Sequence, residues 1–139
     1  MVHPGNPVIC ISTGTAIVID YCAENTFFGG AILPGIRLQL LSLNRGTAAL
    51  PDFGGSVPVE IPPLPGASTE QCIIGGVVRG AAAAINGIVA GYGDQHQGRR
   101  PFILATGGDW PMIAPLVNFN YIAVPDQTLI GIAGSLDCT

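Results

Sequence analysis

Apolar positions in this chain come first in short blocks and later at helical spacing. Val8-Ile9-Cys10-Ile11 is an apolar run of strand length, closed by the small, hydroxyl-rich stretch Ser12-Thr13-Gly14-Thr15. Ala16-Ile17-Val18-Ile19-Asp20-Tyr21 is dominated by β-branched residues and predicts a second strand. A polar turn, Ala23-Glu24-Asn25, leads into Thr26-Phe27-Phe28-Gly29-Gly30-Ala31-Ile32-Leu33, a third strand. Connections this short predict an antiparallel three-strand meander.

The period then lengthens. Pro34-Gly35 opens a helix, because a proline in the first turn gives up an N–H that has no intrahelical partner there. Ile36, Leu40 and Leu43 recur at spacings of four and three, with Leu41 beside them. Arg37, Gln39, Ser42 and Asn44 fill the other side, and Gly46 ends the helix. Five prolines (Pro51, Pro58, Pro62, Pro63 and Pro65) make residues 51–66 an extended connection. Ser68-Thr69-Glu70-Gln71 has the form of a capping box and starts a long helix at Thr69 that runs to about Gly91. A polar loop from Asp94 to Arg100 precedes a fourth strand, Pro101-Phe102-Ile103-Leu104-Ala105. Asp109 is placed as the cap of a short helix reaching about Val117. Tyr121-Ile122-Ala123-Val124 reads as a fifth strand and Asp126 to Leu136 as a last helix.

The element order is therefore βββ-α-α-β-α-β-α. Three antiparallel strands plus two crossover strands with flanking helices resemble the α/β ribonuclease-H-like arrangement, a unit found twice in the sugar-kinase, Hsp70 and actin class. One copy is visible here. A chain of 139 residues buries roughly two-thirds of its unfolded surface, so residues 1–139 are expected to form a single domain.

Composition sharpens the picture. Hydrophobic residues make up 48% of the chain and charged ones 10%, against roughly 25% charged in an ordinary soluble domain. Disorder is excluded; the composition describes a chain that is buried almost everywhere, or one that leaves part of itself for a partner or a membrane to cover. All five cations are arginines (Arg37, Arg45, Arg79, Arg99, Arg100), lysine is absent, and the net charge is −4. Nucleic-acid binding draws on clustered Lys and Arg, so no such partner is expected. The missing lysine removes the P-loop, Schiff-base and protein-kinase routes to chemistry.

Cys10, Cys22, Cys72 and Cys138 contain no CxxC and match no zinc ribbon. The first seven residues lack a basic start and an apolar core of a secretory signal. A cytoplasmic protein with four free, mostly buried thiols is the expectation. His3 and His96 have no second ligand nearby in sequence and are read as surface residues, so no metal ligands are assigned. The stretch Cys72 to Gly93 has the length of a membrane span. Arg79 and Asn86 lie inside it, and its remaining residues are mostly Ala and Gly, so a packed core helix is favoured and no membrane partner is expected.

Two turns carry candidate chemistry. Ser12-Thr13-Gly14-Thr15 combines a glycine turn, whose N–H groups can point at an anion, with Thr hydroxyls. Thr106-Gly107-Gly108 ends a strand just before a helix, where glycines let a ligand lie against the backbone. Each alone is also what an ordinary hairpin or strand–helix junction looks like.

Their order decides more. Thr13-Gly14-Thr15-Ala16-Ile17-Val18-Ile19-Asp20, then Phe28-Gly29-Gly30-Ala31-Ile32-Leu33-Pro34-Gly35, then Thr47-Ala48-Ala49-Leu50-Pro51, then Ser68-Thr69 with Gly75 following, then Ala105-Thr106-Gly107-Gly108-Asp109 closely resembles the type III pantothenate kinases, also described as Bvg accessory factor homologues. The resemblance extends from about Pro7 to Gly134 and is to the C-terminal half of such an enzyme. It implies phosphorylation of pantothenate by ATP, the first step of coenzyme A synthesis. It also implies ATP contacts at Gly14, Thr15, Gly107 and Gly108, a pantothenate contact at Thr69, and a divalent and a monovalent cation. The family's Asp-x-Gly-Asn-Thr and Gly-x-Asp-Arg motifs, the second carrying the catalytic base, are absent from these residues, so no catalytic residue is assigned. Ser12 stands where the family has an Asp associated with the monovalent ion, and a neutral oxygen holds a cation more weakly. The expectations are a half-enzyme that meets an N-terminal half, or a non-catalytic dimerisation or nucleotide-binding module pairing as a homodimer.

Overall fold

The computed structural model describes residues 6–47, 50–53, 60–96 and 99–125. Its elements are β1 (Val8–Thr13), β2 (Ala16–Ala23), β3 (Thr26–Pro34), α1 (Ile36–Gly46), α2 (Thr69–Gly93), β4 (Phe102–Thr106), α3 (Trp110–Ile113) and β5 (Ile122–Ala123). The five strands form one mixed sheet in the order β3-β2-β1-β4-β5. β1 pairs antiparallel with β2, and β2 with β3. β4 lies parallel to β1, with Val8 opposite Phe102 and Ser12 opposite Thr106, and β5 is parallel to β4. The meander and both crossovers match the sequence reading.

Alternation of side chains sends the odd positions of β1, β2 and β4 to one face. Ile9, Ile11, Ile17, Ile19, Tyr21, Ile103 and Ala105 are buried there against Ile36 and Leu40 of α1 and Ile74, Val78, Ala81 and Ile85 of α2. Val8, Cys10, Val18 and Cys22 on the other face are only half-buried, and Ile32 is 77% exposed. The thiols are thus less buried than composition suggests. Cys10 and Cys22 sit on this second face, and Cys72 is exposed on the outer side of α2. Burial pushes the Cys22 thiol above its ordinary pKa and the nearby Asp20 charge adds to the rise, so it stays protonated near neutrality.

The first hairpin turns through Gly14-Thr15 alone, since β1 extends to Thr13. The second turns through Glu24 and Asn25 at φ 51° and 59°, the two left-handed residues of a type I′ hairpin. The register shifts between Tyr21, opposite Gly29, and Cys22, opposite Phe27. Phe28 is the extra residue of this bulge and rests 6.1 Å from the Tyr21 ring.

α2 begins where its cap predicts. The Ser68 hydroxyl accepts from the Gln71 N–H at 3.2 Å, and the Gln71 side-chain oxygen accepts from the Ala67 N–H at 2.8 Å. Ser68→Ala is expected to lower stability by about 1 kcal/mol. Urea unfolding with an unchanged slope checks this.

The helix is long and apolar enough to cross a membrane. Its two polar interior residues are nonetheless used as tethers to the protein's own backbone. Arg79 donates through Nη2 to the Pro62 carbonyl at 3.0 Å. Asn86 donates to the Leu116 carbonyl and accepts from the Asn118 N–H, both at 3.1 Å. With nine residues buried in the core, these contacts support the core-helix reading.

Three expectations change in detail. The helix after Asp109 is one turn long, because Pro115 interrupts it and a 3-10 turn over Ala114–Leu116 replaces the rest. β5 keeps only two residues. Asp109 occupies the cap position of α3, but its side chain makes no capping hydrogen bond. The helix read over 126–136, together with His3, Cys138 and the side chain of His96, lies outside the described residues.

Candidate functional site

Parallel pairing of β1 and β4 puts both carboxyl ends at one edge of the sheet. The end of β3 joins them, because Pro34 lies opposite Ala16. Three turns therefore share this edge: Gly14-Thr15, Pro34-Gly35 and Gly107-Gly108-Asp109.

Backbone contacts lock the turns together. The Gly35 N–H donates to the Thr15 carbonyl at 2.9 Å, and the Asp109 N–H to the Thr13 carbonyl at 3.5 Å. The Thr13 hydroxyl donates to the Thr106 carbonyl at 3.1 Å. Two of the glycines are demanded by these approaches. A Cβ on Gly35 would collide with the Gly14 carbonyl oxygen and lie 2.6 Å from that of Thr15. A Cβ on Gly107, whose φ is +110°, would strike the Thr13 carbonyl oxygen and lie 2.6 Å from its nitrogen. Gly14 and Gly108 have open space where a Cβ would be.

The candidate residues divide accordingly. Gly14, Thr15, Gly107 and Gly108 are brought together on one exposed ledge. The Gly14 N–H is used internally, donating to the Ala16 carbonyl at 3.0 Å. What the turn offers a ligand is the exposed Thr15, whose hydroxyl has no hydrogen bond among the described residues. Thr69 is the first residue of α2 and exposed. α2 runs back toward the start of β4, so its first turn points toward the ledge side of the sheet. Its 25 residues span about 37 Å, more than twice the roughly 17 Å of β4. No hydrogen bond joins Thr69 to the ledge among the described residues.

Two further residues belong to this edge. Gly35 closes the stretch over residues 28–35 of the family resemblance, and tertiary packing seats it on the Thr15 carbonyl. Arg37 was read as a polar-face residue, yet its Nε lies 3.9 Å from Oδ1 of Asp109. The side chains differ sharply in exposure, Arg37 being 62% exposed and Asp109 9%. Behind the ledge, Trp110 is buried edge-on against Tyr121, with ring centres 4.8 Å apart.

Two concave regions of about 350 Å³ each flank the C-terminal end of α2, at the opposite edge of the sheet. One is lined by Val89, Arg100, Ile103 and Phe119, the other by Tyr21, Phe28, Gly30 and Tyr92. Neither includes a residue of the ledge, which is an open surface.

The sequence pattern of the type III pantothenate kinase family matches residues 1–91, more than half of the chain. The chain belongs to this family. It is 44% identical over 114 residues to a type III pantothenate kinase of Synechococcus elongatus, covering 81% of this chain and 44% of that protein. It is 37% identical over 126 residues to one of Alkalilimnicola ehrlichii, covering 90% and 49%. The chain spans about half the length of the curated relatives it matches. Among solved structures, one described as a Baf family transcriptional activator from Campylobacter jejuni superimposes with a TM-score of 0.62 at 22% identity, covering 94% of this chain and 56% of that one. The Alp12 filament structure gives 0.58 at 10% identity, covering 93% and 45%. At such low identity these two similarities concern the fold alone.

Proposed function

We propose that residues 1–139 form a single ribonuclease-H-like domain corresponding to the C-terminal lobe of a cytoplasmic type III pantothenate kinase. It acts in ATP-dependent phosphorylation of pantothenate, the first step of coenzyme A synthesis. The observation that carries this reading is the convergence of the Gly14-Thr15 and Gly107-Gly108 turns at one sheet edge in a member of that family. The strand order, three antiparallel strands followed by two parallel crossovers, supports the fold assignment.

In this reading Thr15 contacts the ATP phosphates through its hydroxyl. Gly107 and Gly108 let the adenosine lie against bare backbone. Thr69 contacts pantothenate, helped by the positive end of α2. Phosphoryl transfer depends on positioning and on neutralising developing charge, and these residues contribute positioning. No three His, Cys, Asp or Glu side chains gather as a metal site among the described residues. No step is assigned to the divalent cation the family implies. Ser12, exposed at the end of β1, offers a monovalent cation a neutral oxygen only.

One observation favours a second reading, a non-catalytic dimerisation or nucleotide-binding module of the same family. Gly76, Gly80, Ala83 and Gly87 form an exposed small-residue face on α2 that would suit close pairing of two copies. The kinase reading and the nucleotide-binding form of the second both place ATP on the ledge. Calorimetric titration of the chain with MgATP is expected to show binding that Thr15→Ala weakens about tenfold or more, the loss of one hydrogen bond to a charged group. Absence of binding by the unaltered chain would refute the nucleotide assignment.

A further inference from the structure

We infer that Arg37 is the cation that meets the nucleotide phosphates on this ledge, and that buried Asp109 is the residue that positions it. The inference rests on the nucleotide reading of the ledge and adds to it a specific charge contact.

Three observations converge. The first is scarcity. The chain has five arginines and no lysine. Arg45 lies in the last turn of α1, Arg79 is tethered to the Pro62 carbonyl, and Arg99 and Arg100 precede β4 at the opposite edge. Arg37, two residues after Gly35, is the one cationic side chain beside the three turns among the described residues. A polyphosphate set against Thr15 needs a counter-charge, and Arg37 is the protein group placed to supply it.

The second is the diversion of Asp109. Its residue type and cap position would ordinarily direct the carboxylate to the N–H groups of α3, and it makes no such bond. It is buried to 8% exposure, and its ion-pair partner among the described residues is Arg37. A buried carboxylate is costly without a partner, and the Arg37 guanidinium lies beside it at the lip of the Gly107-Gly108 turn.

The third is the separation. At 3.9 Å the pair is beyond hydrogen-bond range. The contact therefore leaves the fork of guanidinium donors unused by Asp109, and the group stays exposed toward solvent.

The test is calorimetric titration of the full chain with MgATP and, separately, with adenosine, which lacks phosphates. Arg37→Ala is expected to weaken MgATP about tenfold or more while leaving adenosine affinity unchanged. Arg37→Lys is expected to recover part of the loss, and the salt dependence of MgATP binding should be shallower in Arg37→Ala. Asp109→Asn is expected to give a smaller loss, again confined to MgATP. Because Asp109 is buried and its variant can lose stability, the decision rests on the exposed Arg37. MgATP affinity unchanged in Arg37→Ala would overturn the inference, as would an equal loss of both ligands. A full effect of Arg37→Ala with none from Asp109→Asn in a folded protein would overturn the positioning role. Binding of neither ligand by the unaltered chain would end the nucleotide reading itself, and this inference with it.

Discussion

Purified alone, the chain is expected to release no ADP in response to pantothenate. In the proposed reading Gly14, Thr15, Gly107 and Gly108 hold the nucleotide, and none of the four carries a group that takes a proton from a substrate hydroxyl. Asp109, the carboxylate of the Gly107-Gly108-Asp109 turn, is buried beside Arg37. Loss of a general base lowers a rate by about 10²–10⁴-fold, and loss of the opposing groups that align the phosphates adds to that. Supplying a second polypeptide that carries Asp-x-Gly-Asn-Thr and Gly-x-Asp-Arg is expected to raise pantothenate-dependent turnover by at least about a hundredfold. A coupled ADP assay with and without that polypeptide checks this. Turnover by the chain alone, abolished in Thr15→Ala, would contradict the proposal that these residues contribute positioning only.

The second large effect concerns Gly107. Gly107→Ala is expected to cost about 3 kcal/mol or more in unfolding free energy, a large share of the roughly 5–15 kcal/mol that holds a domain of this size. Two terms add. At φ +110° any side chain strains its own backbone, and the new methyl would fall on the Thr13 carbonyl. Thr13 cannot retreat, because it is 1% exposed and its hydroxyl is bonded to the Thr106 carbonyl. Gly108→Ala is the matched control. Its methyl would enter open space, so stability should change by less than about 1 kcal/mol, while MgATP binding falls because that space is where the ligand is proposed to lie. Urea unfolding of both variants separates the structural glycine from the ligand-facing one. Equal stability of the two would contradict the close approach of Gly107 to β1.

Most elements were legible along the chain. The strand-like runs at 8–11, 16–21 and 26–33, the five prolines and the Ser68 cap are local signals, and local signals predict local structure. Errors fell where a neighbour decides. Asp109 has the residue type of a cap, but its carboxylate makes no capping bond and lies 3.9 Å from Arg37 of another element. The thiols look like core residues by type, yet Cys10 and Cys22 sit at the even positions of their strands, on the less covered face. Pro115 ended a helix that the apolar pattern carried further.

By itself the sequence determined the strands and helices, their order, and the positions of the glycine turns that place the chain in its family. Those follow from spacing, backbone preference and capping, all short-range in the chain. Tertiary structure alone decided that Thr13, Gly35, Gly107 and Arg37 would meet at one edge. Such a meeting depends on the parallel register of β1 and β4, which pairs residues more than ninety positions apart, and no local pattern encodes which carbonyl a distant glycine must clear.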